Sequence, residues 1–278
     1  VGERLKEEDF EDSFSQEEIA RDKGVVQSIK TRLSEEADHL DPEVREEQRR
    51  IRRRSEALEI IIGDQVELNE WFGPEAFLIS LSEYDDYIIG ADVVVEFDRG
   101  ENHAERFAIA VDASFGTQGD TLERKIKRNL EKVLGVKYQN GVLAKPAEIK
   151  YFRSEIDDHK GTLEMIVPVV VGIDKKHCNQ VMGVFADLIK LKSSKDKKQT
   201  REEGDLKRKK AKEKIKKLAE HPVQLVFIEE VIIQLQMYLR LLAQAAPDRQ
   251  ELYTQKTKTL LDIFKEIAHN NSLFRYEC

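Results

Sequence analysis

YDDYIIGADVVVEF at residues 84–97, a polar turn, and FAIAVDASF at residues 107–115 form the stretch that decides the fold. Two runs rich in β-formers, Val93-Val94-Val95 and residues 107–111, flank a tip of charge and glycine, Asp98-Arg99-Gly100-Glu101-Asn102, which predicts a hairpin. Each run carries one acid, Asp92 at the start of the first and Asp112 at the end of the second. In an antiparallel hairpin these positions face each other at one end. Converging carboxylates repel, and a divalent cation is the usual way that repulsion is offset.

The segments on either side supply a core for this hairpin. Upstream, Asp41 can N-cap and Pro42 can open a long helix that Gly73-Pro74 ends. Its inward stripe is Ile51, Leu58, Ile61, Ile62, Gln65 and Phe72, with Glu59 at the border, where a carboxylate can reach the sheet edge. A short strand follows at residues 76–80. Downstream, Asp120 and Glu123 form a capping-box pattern before a helix with the stripe Leu122, Ile126, Leu130 and Val133. On a wheel Lys125 borders that stripe, whereas Arg124 and Arg128 point away. Strands are expected at residues 148–153 and 163–173, with Pro168 marking the latter as an edge or a bulge, and Asp174 then caps another helix. That order predicts an α/β fold, a mixed sheet with helices on both faces, across residues 42–190.

Around this core, residues 1–41 read as an acidic arm, helical or partly disordered, with no chemistry assigned. Residues 191–220 read as a charged linker and a basic helix, and residues 221–278 as a helical hairpin that closes over the sheet or forms a dimer surface. A formal net charge of -8 argues against bulk attraction to nucleic acid. Local charge differs: Arg49, Arg50, Arg52, Arg53 and Arg54 form one basic island, and Lys207, Lys209 and Lys210 belong to another. Cys178 and Cys278 stand apart from any Cys or His cluster, which excludes a disulfide framework and a structural zinc site and makes the reducing cytoplasm the default. The apolar segment 223–246 carries too many polar residues to span a membrane.

At Gly90-Ala91-Asp92, Val93 to Glu96 and Ala110-Val111-Asp112-Ala113-Ser114, the chain resembles the PD-(D/E)XK nuclease superfamily of restriction endonucleases and Holliday-junction resolvases. The resemblance implies a restriction-endonuclease-like core of a helix, a strand hairpin, a helix and a further strand within residues 43–173. It implies Mg²⁺ or Mn²⁺ held by Asp92, Asp112 and the Ala113 carbonyl, with Glu59 completing the site. It also implies a nucleic-acid substrate, DNA before RNA, steered by the basic islands, and a homodimer that cuts two strands. The superfamily's lysine, two residues after the second acid, is replaced by Ser114, and the proline before the first aspartate is absent. Lys125 matches a lysine moved to the following helix. Gln234 and Tyr238 fit the Q-x-x-x-Y pattern of recombination-type nucleases but lie far from Asp112, and read as core helix. The expected activity is metal-dependent phosphodiester hydrolysis. The alternatives are a nuclease-fold protein that binds without cutting and a purely structural protein.

Overall fold

The computed structural model describes residues 4–100, 108–114, 119–135, 144–193 and 201–271; residues 108–114, 119–121 and 201–202 are described by backbone alone. A single 3-10 turn, Glu7–Phe10, precedes α1 (Gln16–Asp38), which a Ser15/Glu18 capping box starts. Helix α2 (Pro42–Asn69) begins as expected, with the Asp41 carboxylate accepting from the Glu43 N–H at 2.9 Å and Pro42 in the first turn. It stops before Gly73-Pro74 because Glu70 turns left-handed, at φ 51°. Phe72 therefore leaves the helix, yet stays buried.

Strand β1 (Ala76–Ser80) leads into α3 (Glu83–Ile89), then β2 (Val93–Phe97), β3 (Ala108–Ser114) and α4 (Gly119–Leu134). After β4 (Ile149–Arg153), β5 (Lys160–Leu163) and β6 (Val167–Gly172) come α5 (Lys175–Ser193), α6 (Arg201–Ala219), α7 (Val223–Leu241) and α8 (Pro247–Asn270). The principal sheet has the order β1-β2-β3-β6, antiparallel through the first three strands and parallel between β3 and β6. The mixed α/β architecture read from the sequence is present. Strands β4 and β5 form a separate antiparallel pair.

Three local readings change. The strand expected over residues 163–173 divides where Met165 adopts φ 53°, giving β5 and β6. Strand β3 continues to Ser114, so Asp112 lies within it; the cause is β6, whose parallel register carries pairing on through Asp112↔Val170 and Ser114↔Gly172. The acidic run 83–86 is helical, because the Ser82 hydroxyl accepts from the Asp85 N–H at 3.1 Å and starts α3. The capping pattern at Asp120 lies outside the residues with described side chains.

Both faces of the sheet are covered, which explains why Val93-Val94-Val95 is apolar without alternation. Val93, Val95 and Phe97 join Leu58, Ile61 and Ile62 of α2, Val181 of α5 and Ile228 and Phe264 of the C-terminal hairpin. Val94 and Ile79 face the other way, onto Phe10, Ile19, Ile89, Tyr151 and Phe152. The N-terminal segment thus supplies part of this second layer. Asp22, 2% exposed, accepts from the Lys150 ammonium at 2.6 Å and the Tyr151 hydroxyl at 2.9 Å, and so ties α1 to β4. The composition of residues 1–41 carries no hint of this tie.

Helices α7 and α8 close over the sheet, where Phe72 meets Phe227 and Phe264 at 5.2 and 5.6 Å between ring centroids. Helix α7 also completes the open edge of β6. Glu230 accepts from the Gly172 N–H at 2.6 Å; Gln234 accepts from Val170 N–H at 3.0 Å and donates to its carbonyl; Tyr238 donates to the Pro168 carbonyl at 2.7 Å. Four helical residues advance about 6 Å and two strand residues about 6.6 Å, so side chains at i, i+4 and i+8 match alternate strand residues. The Q-x-x-x-Y spacing is part of this ladder. Pro168, which has no N–H to give, sits on this edge strand as anticipated.

Candidate functional site

The register that ends in Val93↔Val111 brings position 92 opposite position 112 one step further on. Asp92 is half-buried just before β2, and its carbonyl accepts from the Leu81 N–H at 3.4 Å. By pleat alternation it shares the Val94 side of the sheet. The Asp112 and Ala113 backbone pairs with Val170 and Val171 of β6, one step beyond the last β2–β3 pair, and their side chains lie outside the described residues.

Helix α4 is brought onto this end by a glycine. A Cβ at Gly172, the partner of Ser114, would come within 2.8 Å of Leu122 Cδ2, so the bare backbone there admits the first turns of α4. Lys125 follows one turn later and is half-buried. Arg128 does not point away, as the isolated wheel suggested. Its guanidinium lies on Gly90, where a Cβ would collide with Nη2, and its Nε and Nη2 are buried without a hydrogen-bond acceptor among the described residues. One turn on, Lys132 donates to the Ile89 carbonyl at 3.2 Å. The wheel fails because the C-terminal end of α3 covers a flank of α4 that carries no apolar residue. Gly90 makes the close approach feasible, since its φ of 72° and missing side chain let α3 end directly beneath the guanidinium.

Burial, with the neighbouring Arg128 charge, pushes the Lys132 ammonium down from the usual 10.5 to about 8. Between these values the unfolded chain binds more protons than the folded one, so the wild type gains stability as pH rises from about 8 toward 10.5. Lys132→Met is therefore expected to raise the melting temperature at pH 7 and to lose that advantage above about pH 10. A thermal melt series across that range tests it; an equal shift at every pH would exclude a charge penalty at Lys132.

The remaining candidates disperse. Glu59 is half-buried at the border of the α2 stripe, in the layer opposite Val94, with α2 running against β1 and β3. Arg49, Arg50, Arg52 and Arg53 are exposed and Arg54 half-buried. Arg52 pairs with Glu56 at 2.9 Å and Arg50 lies 3.7 Å from Glu46, so part of this island is neutralised along its own helix. Arg49 and Arg52 also line a groove with Lys30, Arg45 and Tyr87, the last from α3. Lys209 and Lys210 are exposed and Lys207 half-buried on α6, which is held to α5 by Lys214–Asp187 at 2.6 Å.

Two buried acids near the hairpin are structural and were passed over in the sequence. Asp85 accepts from Ser82 Oγ and from the N–H groups of Lys150 and Tyr151 at 2.7–2.9 Å, although burial raises its carboxyl above the usual range. Glu96 accepts from Ser154 Oγ at 2.8 Å and from the Glu155 N–H at 3.1 Å. Asp85 binds β4 to α3, and Glu96 binds the segment after β4 to β2. Cys178 is buried and its thiol is pushed up to about 11, which leaves it unreactive.

The oxygen donors at positions 92 and 112 and the Ala113 carbonyl suit a hard divalent cation. Among the described residues, which omit the Asp112 side chain, no cluster of three or more His, Cys, Asp or Glu forms a metal site. None of the helices among them is long and apolar enough to cross a membrane. The chain matches no protein-family model, no curated protein and no solved structure.

Proposed function

We propose that the chain is a divalent-metal-dependent nuclease with a restriction-endonuclease-like core, hydrolysing phosphodiester bonds in DNA. The observation that carries this reading is the antiparallel β2–β3 pairing down to Val93↔Val111, whose continuation by one step sets position 92 opposite position 112. With α3 inserted between β1 and β2 and the separate β4–β5 pair between α4 and β6, the principal sheet and its flanking helices keep the order α2-β1-β2-β3-α4-β6, which supports it.

On this reading Asp92, Asp112 and the Ala113 carbonyl would hold Mg²⁺ or Mn²⁺, and Glu59, in the layer on the other face of the sheet, is left out of the set. The bound metal supplies Lewis acidity toward the scissile phosphate and a hydroxide at neutral pH. Lys125 supplies positive charge from α4 in place of the lysine that Ser114 displaces. The groove of Lys30, Arg45, Arg49 and Arg52 tracks the strand backbone, contacts that position the substrate without reading its sequence. The buried free thiol of Cys178 is in keeping with a reducing, cytoplasmic setting.

Ser114 favours a second reading, a nuclease-fold protein that binds nucleic acid without cutting it. Incubating the purified chain with labelled single-stranded, duplex and branched DNA, and with RNA, separates the two. Cleavage that requires Mg²⁺ or Mn²⁺ and stops in EDTA is expected, on DNA ahead of RNA. Binding without cleavage on every substrate would establish the second reading instead.

A further inference from the structure

Nε and Nη2 are the two nitrogens on the side-on edge of a guanidinium, whose parallel N–H bonds match two oxygens of one oxyanion. In Arg128 it is these two that are buried and lack an acceptor among the described residues. A charged donor left in that state costs more than a neutral one. Lys132, close enough to feel the Arg128 charge, adds like charge instead of relieving it, and its hydrogen bond goes to the Ile89 carbonyl. Two cations on one flank of α4 thus converge on Ile89 and Gly90, two residues before Asp92. Arg128 as a whole keeps partial exposure.

We infer that the side-on edge of Arg128, with Lys132 as the second cation, binds a backbone phosphate of the nucleic-acid strand beside Asp92. The inference rests on the reading of the chain as a nucleic-acid phosphodiesterase and adds to it the group that holds the substrate's phosphate in the absence of metal. Arg128 is a positioning residue in this scheme: two N–H bonds fix the orientation of the phosphate, which a lysine's single point charge does not. Gly90 belongs to the same device, because any side chain there would displace the guanidinium.

The test is fluorescence anisotropy with a short fluorescein-labelled single-stranded DNA in EDTA, so that binding is read apart from cleavage. Arg128→Gln and Arg128→Lys are each expected to weaken binding about tenfold or more, Lys included because it keeps the charge and loses the fork. Circular dichroism melts confirm that the variants fold. Phenylglyoxal labelling of the wild type provides a measurement free of variants: DNA should protect Arg128 from modification. Wild-type affinity in Arg128→Lys, or an Arg128 that DNA leaves unprotected, would overturn the inference. The outcomes separate from those of the parent reading. A wild type that cuts nothing but needs Arg128 to bind keeps the phosphate site and removes the catalysis. A wild type that cuts, with Arg128 variants that bind and cut as well, removes the phosphate site alone.

Discussion

Asp112→Asn should abolish metal-dependent cleavage while leaving the fold intact. A metal that polarises the phosphate contributes several kcal/mol to the transition state, so loss of one of its two principal carboxylates is expected to cost on the order of 10³-fold in kcat. Asp92→Asn should cost a similar factor, and the double variant little more than either alone, because ligands of one cation act as a unit. The melting temperature of the metal-free protein should hold or rise, since one of two adjacent like charges is removed. That combination, activity lost with stability kept, is what distinguishes ligands from structural acids such as Asp85. Single-turnover cleavage and a thermal melt on the same samples provide both readings. Unchanged cleavage in Asp112→Asn would end the assignment of the acid pair.

Asp22→Ala should produce the largest loss of stability. It strips the half-buried Lys150 ammonium of its carboxylate partner at 2.6 Å and the Tyr151 hydroxyl of its acceptor. Breaking a buried pair from one side costs about 3–5 kcal/mol, because the remaining charge stays desolvated. Lys150 stacks over Phe14 at 4.8 Å, so it cannot leave for water without disturbing the arm as well. Urea denaturation should show this cost, and limited proteolysis should begin in α1. Replacing both partners, as Asp22→Leu with Lys150→Met, should restore most of the stability. A single-variant cost below about 1 kcal/mol would mean that the α1 layer does not depend on the pair.

What the sequence discloses here is what local chemistry alone dictates. Asp41-Pro42 announces α2 because capping and a fixed φ need no tertiary partner. The β2–β3 pairing is legible because two β-rich runs flank a segment of charge and glycine. Helix α3 is hidden, since its turns are acidic and amphipathicity has little room to show in so short an element. Arg128 is misread because an isolated wheel ranks faces by apolarity, whereas its environment is set by the end of α3 meeting α4 at Gly90. Gln234 and Tyr238 are legible as a spacing, but the strand they serve lies 64 and 70 positions away in the chain. Asp22 illustrates the same limit, being one acid among many in an acidic segment until Lys150 is brought beside it.

The side-chain ladder of α7 also has a consequence for synthesis. Strand β6 emerges from the ribosome well before the residues that cover its edge: Gly172 precedes Glu230 by 58 positions. At 5–20 residues per second, that edge waits roughly 3–12 s with unpaired backbone groups while β1, β2 and β3 are already available to the nascent chain. An open strand of Val-Pro-Val-Val-Val is a template for pairing with other chains. Pro168 interrupts its row of donors from the moment it is made, and the charged segment at residues 201–219 follows it out of the tunnel, so the interval is spent beside a solubilising helix.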